Sequence, residues 1–191
     1  MRILGIETSC DECAAAIVDD GIHIASNIVA TQITHHAQWD GVVPEIASRL
    51  HVEWIQDIVG RALLEADSTM DAIDGIAVTS KPGLAGSLLV GISFAKALAW
   101  ATNKPIVGVN HILAHLYAPL LAEDLAYPFI GLIVSGGHTL ICTASDFDTI
   151  TVLGSTIDDA VGEAFDKVAK HYNLGYPGGI AIDRLARRGD S

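Results

Sequence analysis

The feature that most limits how this chain can fold is an order of elements that occurs twice. Alternating apolar residues predict strands over Arg2–Thr8, Cys13–Val18 and Ile22–Ala30, separated by the polar turns SCDE (9–12) and DDG (19–21). A helix from about Pro44 to Ala66 follows, with Ile46, Leu50, Trp54, Ile55, Ile58, Val59 and Leu63 as its apolar stripe. The same order returns at Phe129–Val134, His138–Thr143 and Thr149–Leu153. There a helix should run to about Lys170, capped by Ser155 and striped by Ile157, Val161, Ala164, Phe165 and Val168. Between the copies lie a predicted strand Ile73–Thr79, a helix Leu84–Ala101, a strand over 105–109 and a helix His111–Leu121. The pattern is α/β in two lobes, residues 1–126 and 127–191. The second copy stops in or just past a helix IAIDRLARR, so equal copies would leave the second lobe short by roughly a hundred residues or more. A second domain that is merely smaller is the plainer alternative.

Composition narrows the function. Half the residues are hydrophobic, which excludes a disordered chain. With 11 Lys and Arg against 23 Asp and Glu, the net charge of −12 speaks against a general nucleic-acid binder. The basic cluster Arg184, Arg187 and Arg188 is local. The run LLVGISFAKALAWA (88–101) is short for a membrane span and carries Lys96, and MRILGIETSC lacks a signal-peptide pattern, so a soluble cytoplasmic protein is expected, with no membrane partner. Cys10, Cys13 and Cys142 make an odd set expected to stay reduced. The Cys10–Cys13 spacing could serve zinc or redox chemistry, but strand-like residues continue past it, and small buried side chains are the expectation.

Several motifs could carry chemistry, and each has an ordinary reading beside it. His111 and His115 are four apart, one helical turn on one face, where a metal could sit. Eight histidines in 191 residues give roughly 0.3 such pairs by chance, and a metal wants more than two ligands. In IVSGGHT, Ser135, Gly136 and Gly137 could bring backbone N–H groups to an anion, or simply turn a hairpin. Asp11 and Glu12 could act as a general base or hold a metal–phosphate, or form a solvated turn. Gly83, Gly86 and Gly91 near a helix start imply close backbone packing or an anion site at that helix end. Pro177, Gly178 and Gly179 lead into the last helix, which carries Asp183. Asp159, Glu163 and Asp166 share a polar helix face that is solvated by default.

Taken together, GIETSCDE, GVVPEIASR, PGLAGSLLVG, NHILAHL, VSGGHT, DDAVGEAFDKVAK and YPGG resemble, in order and spacing, the bacterial tRNA threonylcarbamoyltransferase (glycoprotease) family over the whole chain. The resemblance implies the actin/hexokinase-like (ASKHA) fold, a duplicated βββαβαβα unit, here with its second lobe truncated. It implies transfer of threonylcarbamoyl from threonylcarbamoyl-AMP to N6 of the adenosine beside the anticodon, in tRNAs reading codons that begin with A. It further implies that His111 and His115 hold one divalent metal, iron or zinc, whose third protein ligand, an aspartate, lies in a C-terminal part absent from this sequence. A substrate-contacting asparagine lies there too, so this chain alone is expected to be incomplete as an enzyme. By the same resemblance Ile133, Val134, Ser135, Gly136 and Gly137 bind phosphate and the threonylcarbamoyl group. Asp166, Gly179 and Asp183 contact the adenosine, and Asp11 and Glu12 fall on the catalytic turn, Asp11 as base or water positioner. A smaller paralogue of the same fold and an ATPase are the implied partners. Departures are Lys81 for a usual glycine, Cys13 for threonine and Leu50 inside A-S-R-x-H, while Ile133 and His138 fit the bacterial branch.

Two other functions compete. A helical zinc protease needs H-E-x-x-H, and no His-Glu pair exists in the sequence. A non-catalytic scaffold or dimerisation partner remains open, because a half-built lobe would expose apolar surface and favour self-association.

Overall fold

Three antiparallel strands begin the chain: β1 (Arg2–Glu7), β2 (Glu12–Asp19) and β3 (His23–Thr31). The computed structural model describes residues 1–189. Asp190 and Ser191, the last two of the predicted second lobe, lie outside the described residues. The chain divides into two compact units, Met1–His35 with Val42–Glu123, and His36–Gly41 with the chain from Asp124.

In the first unit the strand order is β3-β2-β1-β4-β5, with β4 (Gly75–Lys81) and β5 (Ile106–Asn110) parallel to β1. Parallel neighbours need a long return path, which α2 (Pro44–Glu65) and α3 (Ala85–Thr102) supply. A four-residue helix, α1 (Ile33–His36), precedes α2 and has no counterpart in the sequence reading. The two-residue alternation of strands sorts the sheet into two faces. Leu4, Ile6, Cys13, Ala15, Ile17, Ile76 and Val78 face one way and bury against Ile55, Ile58, Val59 and Ala62 of α2 and Ala95 and Ala99 of α3. The opposite face carries Gly5, Glu7, Ala14, Ala16, Ala77 and Thr79, nearly all small.

The predicted stripe of α2 is rotated slightly. Ala47, His51, Ile55, Ile58, Val59 and Ala62 are its buried residues, while Ile46, Leu50, Trp54 and Leu63 are half-buried at the flanks. The reason is His51, whose ring is fully buried with Nε2–H donating to the Cys10 carbonyl at 2.9 Å, so a polar residue takes a core position. Among the described residues α3 has the length and apolarity to cross a membrane, yet it lays Ser87, Leu88, Gly91, Ala95 and Ala99 into packing that includes α2 and β4. Its glycines answer the alternative raised above in favour of close packing. A Cβ on Gly83 would lie 2.6 Å from the Ser9 carbonyl oxygen, one on Gly86 would strike Ser48, and one on Gly91 would strike Thr8.

The predicted helix His111–Leu121 is shorter than expected. α4 runs His111–Tyr117, and a 3-10 turn at Ala118–Leu121, with Pro119 early in it, completes the segment.

The second unit contains β6 (Phe129–Val134), β7 (Thr139–Ala144) and β8 (Ile150–Ser155) as an antiparallel sheet in that order. It also holds α5 (Val161–His171) and α6 (Gly178–Ala186), packed on each other. Thus strand–strand–strand–helix occurs in both units. Ser155 does not cap α5. The strand continues through a β-bulge to Ser155, and the helix starts six residues later with Ala160 at its N-cap. Asp159 accordingly lies ahead of the helix rather than on its polar face, bonded to Lys167 at 2.5 Å.

Candidate active site

The first unit's small-residue face forms the floor of a 530 Å3 trough, with Gly5, Ala14, Ala16, Ala77, Asn27 and Val109 beneath and Glu7, Glu12, Thr79, His111 and His115 among its polar lining. Sheet register accounts for the floor. Asn27, Ala16, Gly5 and Ala77 sit in one row across four strands, and Ala14 pairs with Glu7 in the next.

The histidines owe their place to Asn110, the last residue of β5. Its Oδ1 accepts from the N–H of Ile112 at 2.8 Å and of Leu113 at 3.3 Å, an N-cap that starts α4 at His111. His115 follows one turn later, and the two Nε2 atoms lie 3.1 Å apart with rings nearly perpendicular, at 81°.

Glu7 anchors this pair from the sheet. Its Oε2 is 3.2 Å from His111 Nδ1 and accepts the Thr79 hydroxyl at 2.5 Å, while its Oε1 accepts the Ser9 N–H. Ser9 Oγ is also 3.2 Å from His111 Nδ1. Burial alone would push the Glu7 carboxyl up, but hydrogen bonds from His111, Ser9 and Thr79 outweigh it and hold it at about 2, firmly ionised. Glu12 moves the other way. Burial raises it from its ordinary value, with the charges of Asp11 and Glu7 adding to the effect. Asp11 lies on the same turn, tied by its carbonyl to the Gln32 N–H at 2.9 Å. It does not line the trough as Glu12 does.

The Cys10–Cys13 pair carries no low-pKa thiol. Cys13 is buried as expected, and burial pushes its thiol up to about 12. Cys10 is exposed rather than buried, a correction to the expectation. Partial burial of its sulfur and then the Asp11 charge raise it to about 12 as well.

In the second unit Ser135, Gly136, Gly137 and His138 link β6 to β7. Ser135 N–H donates to the His138 carbonyl at 2.8 Å, and the His138 N–H donates back to Ser135 Oγ at 3.0 Å. The two glycines do turn a hairpin, since β6 and β7 pair antiparallel up to Val134 and Thr139, yet the turn does not need glycine. Neither has the left-handed φ that tight two-residue turns demand, and a Cβ on either would meet no protein atom. The start of α5 leans on this loop. Gly162 N–H donates to Ser135 O at 3.2 Å, and a Cβ on Gly162 would lie 2.6 Å from Gly136 Cα. Ile133 is buried and Val134 exposed on the strand leading in.

Asp166 on α5 accepts the Gly178 N–H at 2.7 Å, which stitches the start of α6 to α5. Gly178 fits there because a Cβ would lie 2.5 Å from the Phe165 carbonyl oxygen. Gly179 follows directly, and Asp183 farther along α6 pairs with Arg187 at 2.9 Å. The structure therefore assembles Glu7, Glu12, His111 and His115 in one unit. Within the other it assembles the Ser135–His138 loop with Gly162, and Asp166 with the Gly178–Gly179 pair.

Four contributors escaped the sequence reading: Glu7, Thr79, Gly162 and His51. Gly162 sits inside the DDAVGEAFDKVAK block and Glu7 inside GIETSCDE, so the blocks signalled them without saying what they touch. His51 holds the turn of Asp11 and Glu12 through the Cys10 carbonyl.

Neutral imidazole nitrogens suit iron or zinc. Metal–nitrogen bonds of about 2.0–2.1 Å at neighbouring coordination positions put two ligand atoms ~2.9–3.4 Å apart, and the observed 3.1 Å lies in that range. The pair fits two positions of a metal centre. Among the described residues no group of three or more His, Cys, Asp or Glu side chains is placed to complete one.

Residues 23–191 match the family described as tRNA N6-adenosine threonylcarbamoyltransferase, TsaD. The protein of that name from Treponema denticola is 64% identical over 190 residues, covering 100% of this chain and 56% of that protein. The one from Treponema pallidum is 59% identical, covering 100% and 54%. The chain thus spans about half the length of the curated relatives it matches. Among solved structures, YeaZ from Pseudomonas aeruginosa aligns with a TM-score of 0.51 at 22% identity over 81% of this chain and 65% of its own. The ethanolamine utilization protein EutJ from Carboxydothermus hydrogenoformans aligns at 0.54 and 14% identity over 96% and 60%. These two likenesses speak to the fold alone, and the architecture is the α/β, actin/hexokinase-like one that the family resemblance implied.

Proposed function

The chain belongs to the tRNA N6-adenosine threonylcarbamoyltransferase family, and from that premise we propose that the whole protein transfers threonylcarbamoyl from threonylcarbamoyl-AMP to N6 of the adenosine next to the anticodon, in tRNAs whose codons begin with A. The observation that carries the reading is the convergence of the His111 and His115 Nε2 atoms, 3.1 Å apart, at the edge of a broad trough whose polar lining includes the carboxylates of Glu7 and Glu12.

In this reading N6 attacks the carbamoyl carbonyl carbon, the bond from that carbon to the phosphate oxygen breaks, and AMP leaves. The N6 proton passes to the acidic turn. Glu12, its carboxyl made more basic by burial, is suited to accept that proton, and Asp11 beside it orients the acceptor or a water. An iron or zinc ion on His111 and His115 would supply Lewis-acid polarisation of the carbamoyl oxygen. The Ser135–Gly137 loop, with no side chain on either glycine, lets the adenylate phosphate approach main-chain N–H groups. Asp166, by holding Gly178, fixes the glycine pair at the start of α6, and Gly179 and Asp183 meet the adenosine from that helix. The smaller paralogue and the ATPase are proposed partners of the whole protein.

The test follows labelled threonine into tRNA with the full-length protein and purified threonylcarbamoyl-AMP. His111→Ala and His115→Ala should each lower transfer by more than 100-fold and reduce bound metal, with adenylate affinity changed far less. Undiminished transfer by the double variant would overturn the reading.

A further inference from the structure

Three hydrogen-bond donors converge on the Glu7 carboxylate, and one of them belongs to a histidine of the candidate metal pair. The Ser9 N–H takes Oε1, and the Thr79 hydroxyl and His111 Nδ1 share Oε2. We propose that Glu7 is a positioning residue, which fixes His111 with its proton on Nδ1 and so turns the Nε2 lone pair toward a divalent cation shared with His115. The inference rests on the reading that these two histidines hold the cation.

A neutral imidazole has one N–H and one lone pair, and an ionised carboxylate can only accept. The 3.2 Å contact between Oε2 and Nδ1 therefore requires the proton on Nδ1, which leaves Nε2 as the lone-pair nitrogen. The second contact agrees. With the Nε2 atoms of His111 and His115 3.1 Å apart, one must accept, and the Glu7 contact assigns acceptance to His111. Ser9 Oγ competes for Nδ1 at the same 3.2 Å, but a charged acceptor makes the stronger bond. A carboxylate behind a ligating histidine orients the ring and raises its basicity.

The sheet fixes this arrangement before any cation binds. Ile6 pairs with Val78 across β1 and β4, which sets Glu7 alongside Thr79 one residue on. The Thr79 hydroxyl then holds Oε2 in the position that meets Nδ1. Two rigid strands and a capped helix thus determine the direction of one lone pair.

Glutamine at this position keeps the shape but has a single acceptor oxygen against three donors. If that oxygen stays on the Ser9 N–H, the amide NH2 faces Nδ1, and the His111 proton is driven to Nε2. If the amide flips, its oxygen would still accept from Nδ1, but the NH2 group would oppose the Ser9 N–H. The first orientation is favoured, because the Thr79 hydroxyl and His111 can each switch to accepting and a backbone N–H cannot.

The experiment uses the full-length protein labelled with 15N-histidine, read by long-range proton–nitrogen spectra without metal, together with zinc affinity from competition with a chromophoric chelator. In the unmutated protein His111 should carry its proton on Nδ1, and finding it on Nε2 overturns the proposal with no variant needed. Glu7→Gln should move the proton to Nε2 and weaken zinc roughly 10–100-fold. Zinc lost in His111→Ala yet bound normally by Glu7→Gln, with the tautomer unchanged, defeats the role of Glu7 alone. Zinc bound undiminished by both His111→Ala and His115→Ala defeats the cation reading itself.

Discussion

Two helix glycines in the first unit should respond to alanine with opposite signs. Gly60 lies in the exposed interior of α2, and an added Cβ there would meet nothing within 4 Å. Gly91 lies inside α3 against Thr8, which is fully buried and donates its hydroxyl to the Ser87 carbonyl at 2.8 Å. A Cβ on Gly91 would overlap Thr8 Oγ1 and come within 3.3 Å of both its Cβ and Cγ2. Turning Thr8 about χ1 brings the methyl into the contact or abandons the bond to Ser87, and moving α3 outward loosens its packing on β4. Overpacking costs about 1–3 kcal/mol and an abandoned buried hydroxyl about 1–3 kcal/mol, whichever route relaxation takes. Removing a helix glycine returns about 1 kcal/mol. Gly91→Ala should therefore destabilise by about 1 kcal/mol, lowering Tm by roughly 2–4 °C. Gly60→Ala should stabilise by about 0.5–1 kcal/mol. In a Thr8→Ala background the obstruction is gone, and Gly91→Ala should turn neutral or stabilising, a coupling of about 1–2 kcal/mol. Thermal and urea unfolding of the four variants, followed by far-ultraviolet circular dichroism, measures all of this. A Gly91→Ala protein as stable as its parent, or additive effects with Thr8→Ala, would refute the reasoning.

Three further outcomes are expected. The depressed Glu7 carboxyl stabilises the fold fully above its unfolded value near 4.5, and that contribution is lost as pH falls toward about 2. With part of the side chain facing solvent, it amounts to about 2 kcal/mol. Unfolding at pH 5, 3.5 and 2 should therefore fall less steeply for Glu7→Gln than for the parent, and identical slopes would contradict the assignment. Both Cys10 and Cys13 should stay protonated at pH 7.5 and alkylate with iodoacetamide far more slowly than free cysteine, as mass spectrometry of tryptic peptides would reveal; fast labelling of Cys10 would refute its raised thiol. Gly162→Ala should push the Ser135–Gly137 loop aside and weaken adenylate binding by at least 10-fold in a calorimetric titration of the full-length protein, since the new methyl would meet backbone that has no rotamer to yield. Unchanged affinity would separate that loop from the ligand.

Strands were the most legible part of the sequence, because alternation along β1, β2 and β6 reports burial on one face directly. Helix faces were less so. On α2 a counted stripe of large apolar residues missed Ala47 and His51, since a small residue and a satisfied polar one can hold core positions that periodicity assigns to bulk. Ser155 misled because a good capping residue also serves as a strand end, and the bulge in β8 shifts where the strand stops. The histidine pair could be read from spacing along one short helix. Glu7 could not, because its partner lies 104 residues away and the contact depends on the register of β1 against β4. The role of Gly162 was hidden for a like reason, as it is set by a backbone crossing that no local pattern encodes.

The floor of the trough has a consequence for redesign. Gly5, Ala14, Ala16 and Ala77 give it width by omission, since strands carrying larger residues on that side would fill it. There is almost nothing left to carve away. Whatever molecule lodges there is selected mainly by added carbon, so a single valine at Ala16 or Ala77 is the natural dial for narrowing its tastes.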